Sequence, residues 1–275
     1  MYEGFDFSNA VVWITGASSG IGEALALQMA AKGARLVLSA RNEGELARVA
    51  EACNTAGAGD TLVLPLDVTA YDAMPDAVAR VLGHYGTIDL LINNAGVSQR
   101  SFCVDTAFDV YRQMMEINVL GQIALTQAVL PAMRERGSGH IAVTASVAGK
   151  LGAPLRTGYC AAKHAVMGFF DALRCEVAAD GIRVTTITPG FIRTAVAKNA
   201  LGADGKPMGE SDESIEGGMD VGECAAVIIA GFEAGDPEIA VGSGAEMGLL
   251  DLKRKDPVAV FRTVEQMADQ LRGNA

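Results

Sequence analysis

Seven short runs of apolar and β-branched residues, near 10–14, 34–39, 61–65, 88–92, 140–145, 182–188 and 238–241, alternate along this chain with amphipathic stretches. The alternation predicts an α/β fold on a doubly wound parallel sheet, because strands separated by helical segments join through crossovers that cover both sheet faces. Right-handed crossovers then gather the loops that leave the strands at the carboxyl edge, where ligands bind in such sheets. A chain of 275 residues with 50% hydrophobic content can bury one sizeable core as a single domain.

The segment after the first run is the most informative of the loops. Thr15-Gly16-Ala17-Ser18-Ser19-Gly20-Ile21-Gly22 separates the apolar residues 10–14 from residues 23–30, which are good helix formers. In such a unit Gly16 makes the tight turn, Gly20 brings backbone N–H groups up to a pyrophosphate, and Gly22 lets the helix pack on the strand. The spacing is not the GxGxxG of the commonest dinucleotide fingerprint, so the loop needs support from elsewhere in the chain. Further along, Tyr159 and Lys163 stand four residues apart, which puts both on one helix face. A free phenol titrates near ~10, and a cation within a few ångströms lowers that by roughly one to three units, so the pair can act as a proton donor.

Together these segments resemble the short-chain dehydrogenase/reductase family in its compact single-domain branch. The resemblance spans about residues 10–245. It rests on the TGxxxGxG loop at 15–22, Asp67-Val68, Asn93-Asn94-Ala95-Gly96, Asn118, Ser146, Tyr159 with Lys163, and Pro189-Gly190 followed by Thr194. It implies a Rossmann-type domain over residues 1–245, with residues 246–275 as a C-terminal extension. A cofactor site is also implied: Gly16, Ser18, Ser19, Gly20, Ile21 and Gly22 in the glycine loop, Asp67 and Val68 at the adenine end, and Asn94, Ala95 and Gly96 where the backbone comes close. Pro189, Gly190, Ile192 and Thr194 would hold the nicotinamide carboxamide. In the implied reaction Tyr159 gives a proton to a carbonyl oxygen and Ser146 hydrogen-bonds the same oxygen. Lys163 lowers the phenol's pKa and holds the nicotinamide ribose, while Asn118 positions a water linking Lys163 to solvent. Taken singly, Asp67 also reads as a helix cap, Ser146 as a strand-end cap and Asn118 as a satisfied buried amide.

The second strand bears on cofactor choice. It ends in Ala40-Arg41, where an NAD site would carry a carboxylate for the ribose 2′-OH, whereas an arginine accommodates a 2′-phosphate. Arg41, with a hydroxyl from Ser18 or Ser39, points to NADP(H). The expected activity is interconversion of a carbonyl compound and a secondary alcohol by hydride transfer. Leu151, Pro154, Leu155, Phe191 and Val196 suggest a small apolar substrate. Two alternatives stay open. One is a 3-oxoacyl carrier-protein reductase, whose acidic carrier would need a basic patch such as Arg134, Arg136 and Arg174. The other is a noncatalytic nucleotide sensor on the same fold.

Charge disfavours other partners. The chain has 22 basic and 33 acidic residues, a net charge of −11 with no basic stripe, which argues against nucleic acid and anionic membranes. No apolar run approaches the ~20 residues of a membrane span, so a soluble cytoplasmic protein is expected. Cys53, Cys103, Cys160, Cys175 and Cys224 are scattered and read as reduced thiols, mostly buried, and His84, His140 and His164 lack metal-ligand spacing. Residues 199–220, rich in Gly and acid, read as a mobile lid beside the substrate pocket. A final amphipathic helix with the stripe Phe261, Val264, Ala268 and Leu271 should pack on the body or on a neighbouring subunit. The family resemblance implies a homodimer or homotetramer, formed through long helices near 108–134 and 157–179.

Overall fold

A computed structural model describes residues 2–273. Seven strands form one parallel sheet in the order β3-β2-β1-β4-β5-β6-β7. They are β1 (Val11–Thr15), β2 (Arg35–Ser39), β3 (Asp60–Val63), β4 (Leu90–Asn93), β5 (Gly139–Thr144), β6 (Ile182–Pro189) and β7 (Glu238–Val241), each within about two residues of its predicted place. The connecting helices are α1 (Gly20–Ala30), α2 (Glu43–Ala56), α3 (Met74–Tyr85), α4 (Phe108–Met115), α5 (Gly121–Arg136) and α6 (Thr157–Val177), then α7 (Glu213–Glu216) and α8 (Val221–Ala234). Among the described helices none is long and apolar enough to cross a membrane.

Successive strand side chains point to opposite faces, so each face needs its own apolar cover. Val11 and Trp13 join a core with Leu125, Val166 and Phe170 from α5 and α6, while Val12 and Ile14 join Leu25, Met29 and Ile228 from α1 and α8. Burying each such large side chain is worth roughly 1.5–3 kcal/mol. β1 pairs with β2 on one side and β4 on the other, with Val12 level with both Leu36 and Leu90. The chain winds outward from β1 in one direction and returns to wind the other way from β4. At this switch the loops after β1 and β4 diverge and leave a crevice at the carboxyl edge.

Three regions carry detail that the sequence did not give. The helix predicted over 108–134 runs without interruption from 108 to 136 and differs only in a π-helical turn, Glu116–Leu120, that joins α4 to α5. The C-terminus forms two helices, α9 (Ala245–Lys255) and α10 (Pro257–Gly273), because Pro257 starts a new helix that Asp256 caps by accepting the Ala259 N–H at 2.9 Å. The expected stripe on α10 is only half covered: Val264 and Ala268 are half-buried, Phe261 and Leu271 are exposed, and the buried residue is Val260. Residues 199–220 are tied down by isolated bridges that pair Leu201 with Gln99 and Pro207, and Met219 with Ile192. Of the cysteines, Cys53, Cys160 and Cys224 are buried, but Cys103 and Cys175 lie on the surface.

Candidate active site

The glycine loop closes on itself at the end of β1. Gly16 and Gly20 have φ of +66° and +59°, a left-handed backbone that side chains resist, and a Cβ on Gly22 would lie 2.3 Å from the Gly16 carbonyl oxygen. Ser19 occupies the N-cap of α1 without a side-chain capping bond, so no hydroxyl competes for the first-turn N–H groups. Across the crevice, a Cβ on Gly20 would meet the Thr194 methyl at 3.4 Å. The loop and residues 189–194 thus face each other over a narrow trough.

Asn94 ties three strand ends together. Its Nδ2 donates to the Thr15 carbonyl at 3.1 Å, and the backbone N–H groups of Asn94 and Ala95 both donate to Thr15 Oγ1 at 3.0 Å. Its Oδ1 accepts from Thr144 Oγ1 at 3.1 Å, which joins β5 to the knot. Gly96 is required by close approach, since a Cβ there would meet Asn118 Oδ1 at 2.6 Å and would reach Lys163 Nζ at 3.6 Å. Val68 is buried, and its carbonyl lies where a Cβ on Gly121 would be 2.6 Å away.

Asn118 sits in the π turn, fully buried. Its Oδ1 accepts the Val97 N–H at 3.0 Å, and its Nδ2 donates to Val97 O at 3.0 Å and Met114 O at 3.1 Å. The side chain is thus the satisfied amide of the plainer reading, binding the loop after β4 to the helix. Ser146 follows β5; its Oγ accepts the Ala148 N–H at 3.1 Å and donates to Pro189 O at 3.4 Å.

Tyr159 and Lys163 share one face of α6, as their spacing requires. Lys163 Nζ donates to Thr144 O at 2.7 Å and lies 5.8 Å from the Tyr159 ring centroid. Burial lowers the Lys163 pKa to about 8. Tyr159 departs from the sequence reading. Burial raises its pKa above the ordinary phenol value, against the opposing influences of the Ser146 hydroxyl and the Arg156 guanidinium. Burial likewise raises the Cys160 thiol pKa, which keeps it a poor nucleophile at neutral pH.

At the opposite end of the crevice, Arg41 is exposed and, among the described residues, makes no ion pair. Ser39 is not free to assist it. Its Oγ is buried and accepts the Trp13 indole N–H at 2.9 Å, inside the core. Asp67 Oδ1 accepts the Thr69 N–H at 2.9 Å and the Thr69 hydroxyl at 2.8 Å, which with the nearby Arg41 charge lowers its pKa; the turn it caps precedes α3. The histidines lie apart from one another: His84 pairs with Asp60, His140 is buried beside Thr185, and His164 bonds the Cys160 carbonyl.

Sequence reasoning missed Glu246 at the start of α9. It is buried, accepts the Phe191 N–H at 3.0 Å, and fills the space where a Cβ on Gly190 would lie 2.3 Å from its Oε1. It also missed Gln99, whose Oε1 accepts the Gly158 N–H at 2.9 Å, and the Arg156–Asp212 pair at 2.8 Å. No local pattern marks these residues.

A doubly wound sheet with a glycine-loop crevice, and a Ser, Tyr and Lys gathered at its carboxyl edge, defines a nucleotide-binding oxidoreductase of the α/β class. The family described as short chain dehydrogenase matches residues 10–204. Human dehydrogenase/reductase SDR family member 7 is 48% identical over 204 residues, which cover 73% of this chain and 60% of that protein. Zebrafish (Danio rerio) dehydrogenase/reductase SDR family member 7B is 36% identical over 273 residues, covering 98% of this chain and 88% of that protein. Among solved structures, a Burkholderia phymatum short-chain dehydrogenase/reductase in complex with NAD superposes with a TM-score of 0.81 at 26% identity, covering 92% of this chain and 95% of that one. An alcohol dehydrogenase from the archaeon Thermococcus sibiricus complexed with 5-hydroxy-NADP gives 0.73 at 26% identity, covering 85% and 96%. The chain belongs to the short-chain dehydrogenase/reductase family, oxidoreductases that act on the CH–OH group of donors with a nicotinamide cofactor.

Proposed function

We propose that this protein is an NADP(H)-dependent oxidoreductase that interconverts a small apolar carbonyl compound and its secondary alcohol. The observation that carries this reading is that Ser146, Tyr159 and Lys163 come together at the carboxyl edge, with Lys163 held on the Thr144 carbonyl at 2.7 Å and 5.8 Å from the Tyr159 ring centroid. The left-handed turns at Gly16 and Gly20 and the uncapped first turn of α1 suit a pyrophosphate, and Gly20 faces Thr194 across the crevice, where a Cβ on Gly20 would come 3.4 Å from the Thr194 methyl. When bound, that cofactor supplies or accepts the hydride.

The chain's own residues do the rest. A phenol whose pKa burial has raised keeps its proton at neutral pH, the state from which Tyr159 donates to a carbonyl oxygen as negative charge develops there. Ser146, by turning its hydroxyl from the long bond to the Pro189 carbonyl, donates to the same oxygen. Lys163 holds ribose hydroxyls through its ammonium group, which a pKa of about 8 leaves mostly protonated at neutral pH. Ile192 and Thr194 orient the carboxamide, and Asp67 keeps its second oxygen for the adenine amino group. Leu151, Pro154, Leu155, Phe191 and Val196 give the substrate side its apolar character.

The solved relatives were seen with NAD in one case and a derivative of NADP in another, so cofactor choice rests on Arg41. Its exposed guanidinium, without an ion-pair partner among the described residues, suits a 2′-phosphate. NADPH should bind at least about tenfold more tightly than NADH, ~1.4 kcal/mol, and Arg41→Ala should erase most of that preference while sparing NADH. Titration of nicotinamide fluorescence tests this, and equal affinities in the wild type would refute it. The acyl-carrier alternative finds little support. Arg134, Arg136 and Arg174 each already face a carboxylate, Asp180 at 2.8 Å, Asp89 at 3.1 Å and Asp171 at 3.0 Å.

A further inference from the structure

The loop between Ser146 and Tyr159 is backbone-strained. Leu155 has φ +62°, a left-handed conformation that a non-glycine residue resists. Its surroundings over-determine it. Leu155 O accepts the Ser101 N–H at 2.9 Å, and two residues past Arg156 the Gly158 N–H is held by Gln99. Arg156 itself spans two segments: Nη1 donates to Ser98 Oγ at 2.8 Å, and Nη2 donates to Asp212 Oδ2 at 2.8 Å. Asp212 is 9% exposed, and its Oδ1 accepts the Ile215 N–H at 3.0 Å to cap α7. A second cation, Arg100, lies 4.0 Å from Asp212. One buried carboxylate therefore joins residues 199–216 to a guanidinium three residues before Tyr159.

We propose that Arg156 and Asp212 form a charge-compensated latch, which docks residues 199–216 across the carboxyl edge and sets how much of the Arg156 charge bears on the Tyr159 phenol. Only the catalytic meaning of the second half rests on the reading of Tyr159 as proton donor; the docking and the electrostatic effect on the phenol do not. The other groups facing the phenol are the Ser146 hydroxyl, the Lys163 ammonium and the Cys160 thiol. None of them touches Asp212 among the bonds described, so the latch has an electrostatic signature of its own. Arg156→Met removes a cation near the phenol, whereas Asp212→Asn leaves that cation uncompensated. Both variants loosen the segment. Their effects on the phenol have opposite sign, which a purely structural tie would not produce.

Two measurements on the whole chain test this, and neither requires turnover. Amide hydrogen exchange across residues 199–216 should speed up about tenfold or more in both variants, and unchanged exchange in both would overturn the latch. Tyrosinate absorbance, read as the difference from the same variant carrying Tyr159→Phe, should place the Tyr159 titration lower by about 0.5–1 pH unit in Asp212→Asn and higher in Arg156→Met. Displacements of the same sign, or none, would overturn the charge role. Arg156→Lys keeps the cation but not the fork; it should titrate like the wild type, exchange faster, and serve if the Met variant fails to fold. Opposed displacements in a protein that reduces no carbonyl compound would leave this inference standing and remove only the enzymatic reading.

Discussion

β5 has a buried base near each end, and the two groups differ in what surrounds them. His140, near the start of the strand, is 1% exposed, with its Nε2 at 2.9 Å from Thr185 Oγ1 and the rings of Phe5 and Phe232 at 5.7 and 5.4 Å. Burial pushes its pKa down to about 3, and its Nδ1 has no partner among the described residues. At the strand's other end the Thr144 carbonyl holds Lys163, whose pKa burial lowers only to about 8. Desolvation disfavours the cation in both. Aromatic rings enclose the imidazole at the amino edge, whereas the ammonium borders Gly96, Thr144 O and the crevice between two diverging loops. The two sites are almost equally buried and each has one polar partner, so what separates them is the wall, aromatic rings around the imidazole and a glycine and backbone carbonyl beside the ammonium.

The largest test of that contrast compares Tyr159→Phe with His140→Leu. The first should reduce turnover by about 10²–10⁴-fold with cofactor binding nearly intact, because only the proton-transferring oxygen is lost. The second should leave turnover close to wild type. Comparable losses in steady-state kinetics would erase the distinction.

The imidazole also allows a thermodynamic test. Its folded pKa, about 3, lies below the unfolded value of ~6.5, so the unfolded chain binds a proton that the folded chain refuses between those limits. The stability due to neutral His140 is fully present above pH ~6.5 and is lost as pH falls toward 3, by about 5 kcal/mol at most. Urea denaturation from pH 7 to 4 should show this slope in the wild type and a shallower one in His140→Leu. Equal slopes would mean that the aromatic enclosure opens to admit the proton.

The smallest effect belongs to the carboxyl edge. Glu246→Ala leaves the Phe191 N–H without its acceptor, a loss of about 1 kcal/mol or more, and should raise the cofactor KM roughly fivefold with kcat little changed. Glu246→Gln keeps an oxygen acceptor and should recover most of that. Identical kinetics in all three proteins would show that residues 189–194 hold their shape without α9.

Features with short sequence reach were legible in the chain. The seven strands arise from local alternation, the left-handed turns at Gly16 and Gly20 from the residue type that tolerates them, and the shared face of Tyr159 and Lys163 from helical spacing. Asn94 and Ser146 were found through order along the chain and lie where strand ends meet. The exposure of Phe261 and Leu271 was not legible, since an apolar stripe does not say how much of a helix will find a partner.

The sequence by itself therefore determined the sheet, the glycine loop and the set of chemical groups at the site, because periodicity and backbone sterics act over a few residues. Tertiary structure decided what each group faces. Ser39 serves Trp13, Asn118 spends its amide on Val97 and Met114, Glu246 reaches back 55 residues to Phe191, and Arg156 reaches 56 residues forward to Asp212. Burial, and with it the upward shift of Tyr159 and the downward shifts of Lys163 and His140, depends on how much water the whole assembly of elements excludes. Desolvation is a property of the enclosing volume, and no window of sequence contains that volume.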